Sequence, residues 1–182
     1  AGFNAANRLI ENGVLSTALL TENRNFGTSR NTGSDKQTYY KLGISGDTPD
    51  SVKLMAQELF SCGSVDGDNA LCEAALSVRC FMNLCERGVP FPTDKYGEYV
   101  GYKTDHDKHE RATSAGPLTS RFMTEALEKR AAELDVKVLD GYLAVELLTD
   151  ETGVLGVLCV EKATGKPVGI KAGNIVLATG GP

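Results

Sequence analysis

Ala1-Gly2-Phe3-Asn4-Ala5-Ala6, followed by Thr17-Ala18-Leu19-Leu20-Thr21-Glu22, decides how this chain is read. Residues 3–12 have the spacing of a short helix with small residues near its start, and Gly13 after Asn12 supplies a left-handed C-cap. Residues 17–21 form a short apolar run that reads as a buried strand and ends on the acid Glu22. A helix that opens on a glycine and leads to an acid twenty residues on has the spacing of a dinucleotide-binding βαβ unit. There the last glycine of G-x-G-x-x-G lets helix and strand pack closely, and the acid binds a ribose hydroxyl. Gly2 fits that glycine and Glu22 that acid, with the earlier glycines and the first strand expected ahead of residue 1. An ordinary helix–strand pair ending in a charge has the same appearance, so the remainder of the chain has to decide.

Outward from this unit, residues 23–48 are polar and contain Gly27, Gly33, Gly43 and Gly46. They read as a loop, and ordered loops of that length usually carry function. Residues 50–62 predict a helix with Val52, Met55, Ala56, Leu59 and Phe60 inward. Residues 68–87 predict a second, with Leu71, Ala74, Ala75, Val78, Met82 and Cys85 as its apolar stripe and Asp66 or Asp68 as its cap. A second long loop is expected over 89–116. Pro117 then suits a first helical position, and the helix through about 134 points Leu118, Phe122, Ala126, Leu127, Ala131 and Leu134 inward. After it the period shortens. Strands are expected at 136–139, 142–149, 154–161 and 167–171, with turns at Thr152-Gly153 and Thr164-Gly165, giving an antiparallel meander over about 142–171. Residues 174–178, Asn-Ile-Val-Leu-Ala, read as a buried parallel strand. The glycines of Ala178-Thr179-Gly180-Gly181 at its end let a cofactor approach the backbone.

Composition removes several classes of function. The 182 residues carry 19 basic and 24 acidic side chains, a net charge of −5, which gives no basic footprint for nucleic acid. No apolar run approaches a membrane span, and no leader is visible at the N-terminus. Cys62, Cys72, Cys80, Cys85 and Cys159 contain no Cys-x-x-Cys pair. A structural zinc site or disulfide scaffold is therefore not expected; four of the five are read as small hydrophobes in helical stretches, in a reducing, cytoplasmic compartment. No metal is expected. The start at Ala1 and the end at Gly181-Pro182 suggest a piece of a longer chain.

The order of these signals resembles the FAD-binding domain of the fumarate reductase/succinate dehydrogenase flavoprotein family, which includes L-aspartate oxidase. Ala1-Gly2-x-x-Ala5-Ala6 resembles the end of the family's glycine motif, and Leu19-Leu20-Thr21-Glu22 its acid-terminated strand. Gly27-Thr28-Ser29 through Gly33-Ser34 stands where members contact pyrophosphate and flavin. Glu110-Arg111 followed by Gly116-Pro117-Leu118-Thr119, then Leu147-Leu148-Thr149-Asp150 with Gly153-Val154-x-Gly156-Val157, then Ile175 through Gly181 complete the series. The chain departs from the family at Asn23, where lysine is usual, at Ser120, where glycine is usual, and in the flavin-side loop, which lacks the double glycine and any histidine.

The resemblance implies an α/β, Rossmann-like FAD-binding domain over 1–182, incomplete, with a parallel sheet, helices and the β-meander, the capping domain being absent. It implies a flavin-dependent oxidoreductase exchanging hydride with a small-molecule substrate. FAD would be non-covalent, held by Gly2, Glu22, Asn23, Thr28, Ser29, Thr32, Gly33, Ser34, Ala144, Ala178, Thr179 and Gly180. Arg111 and His106 are the candidates on the substrate side. Two other functions fit parts of the pattern: a non-catalytic nucleotide-binding or interaction module with the same fold, and an NAD(P)-dependent enzyme. The segment by itself is expected to bind FAD poorly, to be inactive and to self-associate through open strand edges.

Overall fold

The computed structural model describes residues 1–46, 48–104 and 107–181, with the backbone alone at Lys108. The chain forms two compact units, one of Ala1–Asn31 with Leu127–Pro182 and one of Thr32–Ala126.

In the first unit, α1 (Gly2–Glu11) turns Ala6 and Asn7 inward. Ala6 joins Ala131 and Val136 in a small core against Phe3, Ile10, Leu19 and Leu134. Asn7 Nδ2 donates to the Leu127 carbonyl at 2.9 Å, which ties α1 to the C-terminal half of the unit. β1 (Ala18–Thr21) runs parallel to β5 (Lys137–Asp140), with Leu19 opposite Val138. A single turn, α2 (Thr28–Asn31), follows β1. The expected meander is present: β6 (Tyr142–Asp150), β7 (Gly153–Glu161) and β8 (Lys166–Lys171) pair antiparallel in that order. Its tight first turn uses Gly153 at φ 130°, in the region that favours glycine.

In the second unit, α3 (Val52–Ser61) and α4 (Gly67–Glu86) pack through Met55, Ala56 and Ala74. Ser51 Oγ caps α3 by accepting from Leu54 N at 3.2 Å, and Asp66 Oδ1 caps α4 by accepting from Asp68 N and Asn69 N at 3.1 Å. Beside them lies a sheet in the order β2 (Tyr39–Tyr40), β4 (Asp107–Thr113), β3 (Tyr102–Thr104). The rings of Tyr39, Phe91 and Tyr99 surround Phe81. Helix α5 (Thr119–Glu133) closes the series.

Six sequence expectations need correction. The loops expected over 23–48 and 89–116 contain α2, β2, β3 and β4. β2 and β3 are only two and three residues long and β4 is rich in charge, so no apolar periodicity marks them. The buried face of α4 is Ala70, Ala74, Ser77, Phe81 and Leu84, one residue off the expected stripe, and Leu71 is half exposed. Phe60 on α3 is also exposed. Helix α5 starts at Thr119 rather than Pro117 because Gly116, at φ 90°, still turns the chain. Residues 174–178 form no ladder among the described residues, and Val176 and Leu177 are exposed. Of the cysteines only Cys159 is buried; Cys62, Cys72 and Cys80 are exposed, so they are not core hydrophobes. Among the described residues no helix is long and apolar enough to cross a membrane.

Candidate functional site

In the first unit two of the residues expected at the cofactor, Gly2 and Ala178, lie together at the start of α1. A Cβ on Gly2 would lie 3.5 Å from Leu19 Cδ1 and 3.6 Å from Ala178 Cβ. The helix start, the strand and the Ala-Thr-Gly-Gly segment therefore touch at one glycine. Glu22 follows directly on β1, is one-third exposed, and accepts a hydrogen bond from Lys162 Nζ. Asn23 Oδ1 accepts from Asn25 N at 2.8 Å, an Asx turn that redirects the chain. Arg24 N then donates to Asp140 Oδ1 at 3.0 Å and so fastens the ends of β1 and β5 together. Thr28 and Ser29 are exposed on α2. Ala144 stands on β6 opposite Cys159, beside a bulge in the ladder. Thr179 and Gly180 are exposed, with Gly180 at φ 84°.

Sequence reasoning passed over two cations here. Arg24 and Arg30 converge on Glu128, at 3.3 and 2.6 Å, and Arg30 Nε is buried without a hydrogen-bond partner among the described residues. The signal was present as two arginines flanking the Gly27-Thr28-Ser29 turn.

In the second unit, Thr32, Gly33 and Ser34 are exposed and lie against the start of α5. Ser34 N donates to the Pro117 carbonyl at 3.0 Å. A Cβ on Gly33 would come within 3.2 Å of that same carbonyl oxygen and of Leu118 Cδ2. Gln37 Oε1 accepts from Ser120 N at 3.1 Å and from Ser120 Oγ at 3.0 Å, which satisfies one of the open amides of the helix.

Arg111 is fully buried and lies at the centre of an ion-pair network. Its Nε and Nη2 grip Asp50 at 2.8 and 2.7 Å in a bidentate fork. Its Nη1 donates to Tyr40 Oη at 3.1 Å and to Glu58 Oε2. Burial pulls the guanidinium down, but the hydrogen bonds it donates to Asp50, Tyr40 and Glu58 outweigh it and hold it above its ordinary value. Those donors are committed to the chain's own oxygens, and the side chain holds its unit together. His106 lies outside the described residues.

An acid-terminated strand in a parallel pair, packed against a helix that begins on glycine, defines a nucleotide-binding α/β domain. Comparison with known proteins narrows this. The FAD binding domain family matches residues 1–182, and the chain belongs to that family. L-aspartate oxidase 2 from Ralstonia nicotianae is 34% identical over 99 residues, which is 54% of this chain and 18% of that protein. Mycobacterium smegmatis Sdh1 in its apo form superposes with a TM-score of 0.86 at 18% identity, over 100% of this chain and 33% of that one. E. coli quinol fumarate reductase gives a TM-score of 0.83 at 18% identity, over 99% of this chain and 31% of that one. The chain thus spans a third or less of the length of these relatives. Its cofactor is FAD, and the residues fit that group. Gly2 leaves the room that closes helix onto strand, Glu22 offers a partly exposed carboxylate at the strand end, and Arg30 carries an unsatisfied buried N–H beside the turn.

Proposed function

We propose that this chain holds FAD within a flavin-dependent oxidoreductase that exchanges hydride with a small-molecule substrate, in the manner of the fumarate reductase, succinate dehydrogenase and aspartate oxidase flavoproteins. The meeting of Gly2, Leu19 and Ala178, on the helix and the strand that lead to Glu22, supports this reading most directly. When bound, FAD supplies hydride exchange at its flavin ring, and the protein supplies position and electrostatics.

In this reading Glu22 releases Lys162 and accepts hydrogen bonds from ribose hydroxyls, while the Asx turn at Asn23 keeps the following chain clear of the sugar. Thr28 and Ser29 offer hydroxyls to the diphosphate, and Thr32, Gly33 and Ser34 face the flavin end. Gly2 brings the α1 amides close to the phosphate, where the helix N-terminus favours negative charge. Ala144 packs at the adenine, and Ala178, Thr179 and Gly180 run along the cofactor with their backbone. Arg111 acts as a positioning residue that fixes Asp50, Tyr40 and Glu58.

The test is Glu22→Ala in the full-length protein. Loss of a charge-assisted hydrogen bond to ribose is worth ~1.5–3 kcal/mol, so the FAD dissociation constant is expected to rise about 10- to 150-fold. An unchanged constant would show Glu22 to be a surface charge paired with Lys162 and nothing more.

A further inference from the structure

Glu58 on α3 and Asp107 and His109 on β4 bring one ligand atom each to within 4.8 Å of one another. His109 is the informative member. Its side chain is only 8% exposed, and its Nδ1 lies 3.2 Å from the Pro49 carbonyl. A carbonyl oxygen only accepts, so Nδ1 carries the proton. That leaves Nε2 buried, with no hydrogen-bond partner among the described residues, and pointed at Glu58 Oε1 3.4 Å away. A neutral imidazole in this pose sets its lone pair against a carboxylate oxygen, which is repulsive unless something positive lies between them.

The charges around it point the same way. Among the described residues, Asp50, Glu58 and Asp107 face a single guanidinium, that of Arg111. Three carboxylates around one guanidinium leave an excess of two negative charges, with the fork taken by the buried Asp50 and Glu58 sharing Nη1. A proton on His109 would cancel one of those charges; a dication cancels both. The groups behind the ligands are those a metal site uses. The imidazole is oriented by a backbone carbonyl. Asp107 is held by His109 N at 3.0 Å and Arg111 N at 3.3 Å.

We propose that Glu58, Asp107 and His109 Nε2 form a site for a divalent transition-metal cation of the zinc type. One imidazole and two carboxylates are a donor set for Zn²⁺ or Mn²⁺. Tetrahedral ligand bonds of about 2.0–2.2 Å need the three atoms to draw together by up to about 1.4 Å. Glu58, at 40% side-chain exposure, provides the entry route and leaves open positions to water. The ion would pin α3 to β4 across the Arg111 network and stiffen the second unit.

The experiment uses the full-length protein stripped with a chelator and titrated with zinc chloride at about neutral pH by calorimetry. One zinc per chain with a dissociation constant of about 1 μM or tighter is expected, with a higher melting temperature. His109→Ala is expected to weaken that site about 100-fold or more and to abolish the thermal shift. No binding up to about 1 mM, or the same constant in the variant, overturns the proposal. If the variant fails to fold, nitrogen NMR of the wild-type imidazoles decides. A metal-shifted Nε2 on His109 supports the site. Two protonated ring nitrogens in saturating zinc show that a proton, not a metal, answers the carboxylates, and overturn it.

Discussion

Asp50 owes its ionisation to Arg111. Burial by itself pushes the carboxyl up, but the guanidinium fork and the backbone N–H groups of Gly43 and Ser51 outweigh it and hold it at about 2. An unfolded aspartate titrates near ~3.9. A folded value below the unfolded one gives stability that is complete above the unfolded pKa and is lost as pH falls from about 4 towards 2. Asp50→Asn leaves the buried Arg111 without its fork, at a cost of about 3–5 kcal/mol near neutrality. Urea melts of the full-length variant are expected to show a large gap to wild type at about pH 7 that narrows below about pH 4. A gap that stays constant down to about pH 3 rejects this account. Lys41 presents the opposite problem. Its side chain is fully buried, its Nζ has no hydrogen-bond partner among the described residues, and its nearest compensation is the Phe81 ring, 4.9 Å from Nζ to centroid. Burial lowers its pKa, so the unfolded chain binds the extra proton and native stability rises with pH up to the ordinary lysine value. Lys41→Met keeps the packed stem and removes the charge. The variant is expected to be about 1 kcal/mol more stable than wild type at about pH 7, after the ring's favourable contribution is discounted. The advantage should shrink as pH approaches about 10; a variant less stable than wild type at both ends shows the ammonium to be well accommodated.

At the scale of elements, the helix that begins on Gly2 and the strand that leads to Glu22 were legible because they depend on local spacing. The meander was legible too, since its alternation and its Gly153 and Gly165 turns are local. The sheet of β2, β4 and β3 was not. Asp107-Lys108-His109-Glu110-Arg111-Ala112-Thr113 has no apolar alternation, and its buried Arg111 pairs with Asp50 and Glu58, partners about fifty to sixty residues away in sequence. Arg111 therefore read as a free cation for a ligand, whereas its counter-ions lie in the chain itself. The rotation of the α4 face has a similar origin: Ala70, Ala74, Ser77, Phe81 and Leu84 keep helical spacing, and only the neighbouring Tyr39 and Phe91 decide that Phe81 rather than Met82 turns inward. The helix–strand contact at Gly2 can be tested by size. A Cβ there makes ordinary contacts with Leu19 and Ala178, so Gly2→Ala should melt within about 1 kcal/mol of wild type in the full-length protein. Gly2→Val adds two methyls where Leu19 and Ala178 already stand and is expected to cost about 1–3 kcal/mol. Equal stability of the two variants, measured by denaturant unfolding, would show that the helix start does not press on the strand.

At the scale of the whole chain, the meander has apolar surface without cover. Leu147 and Leu148 are neighbours on β6, so their side chains point to opposite faces of the sheet, yet each is 37% exposed, and Leu143, Val145, Val154 and Leu155 are exposed with them. Apolar surface of this extent marks a site of contact, and the chain covers only 31–33% of the structural relatives to which it is similar. Strand β1 adds a second cause of association. Among the described residues it pairs only with β5, and an unpaired strand edge is a template for another chain. Residues 1–182 produced alone are thus expected to self-associate and to bind a hydrophobic dye, whereas the full-length protein is not expected to bind it through these residues. Sedimentation velocity at several concentrations measures the first and dye fluorescence the second. A segment that stays monomeric and dark at high micromolar concentration would show that the leucines of β6 are tolerated in water and that β1 needs no second partner. A double substitution on β6, Val145→Thr with Leu147→Thr, places β-branched side chains at both positions of the strand and removes apolar surface. It should lower the association of the segment while leaving its helix and strand content unchanged by circular dichroism. Association unaffected by that pair would move the cause from the meander to the open edge of β1.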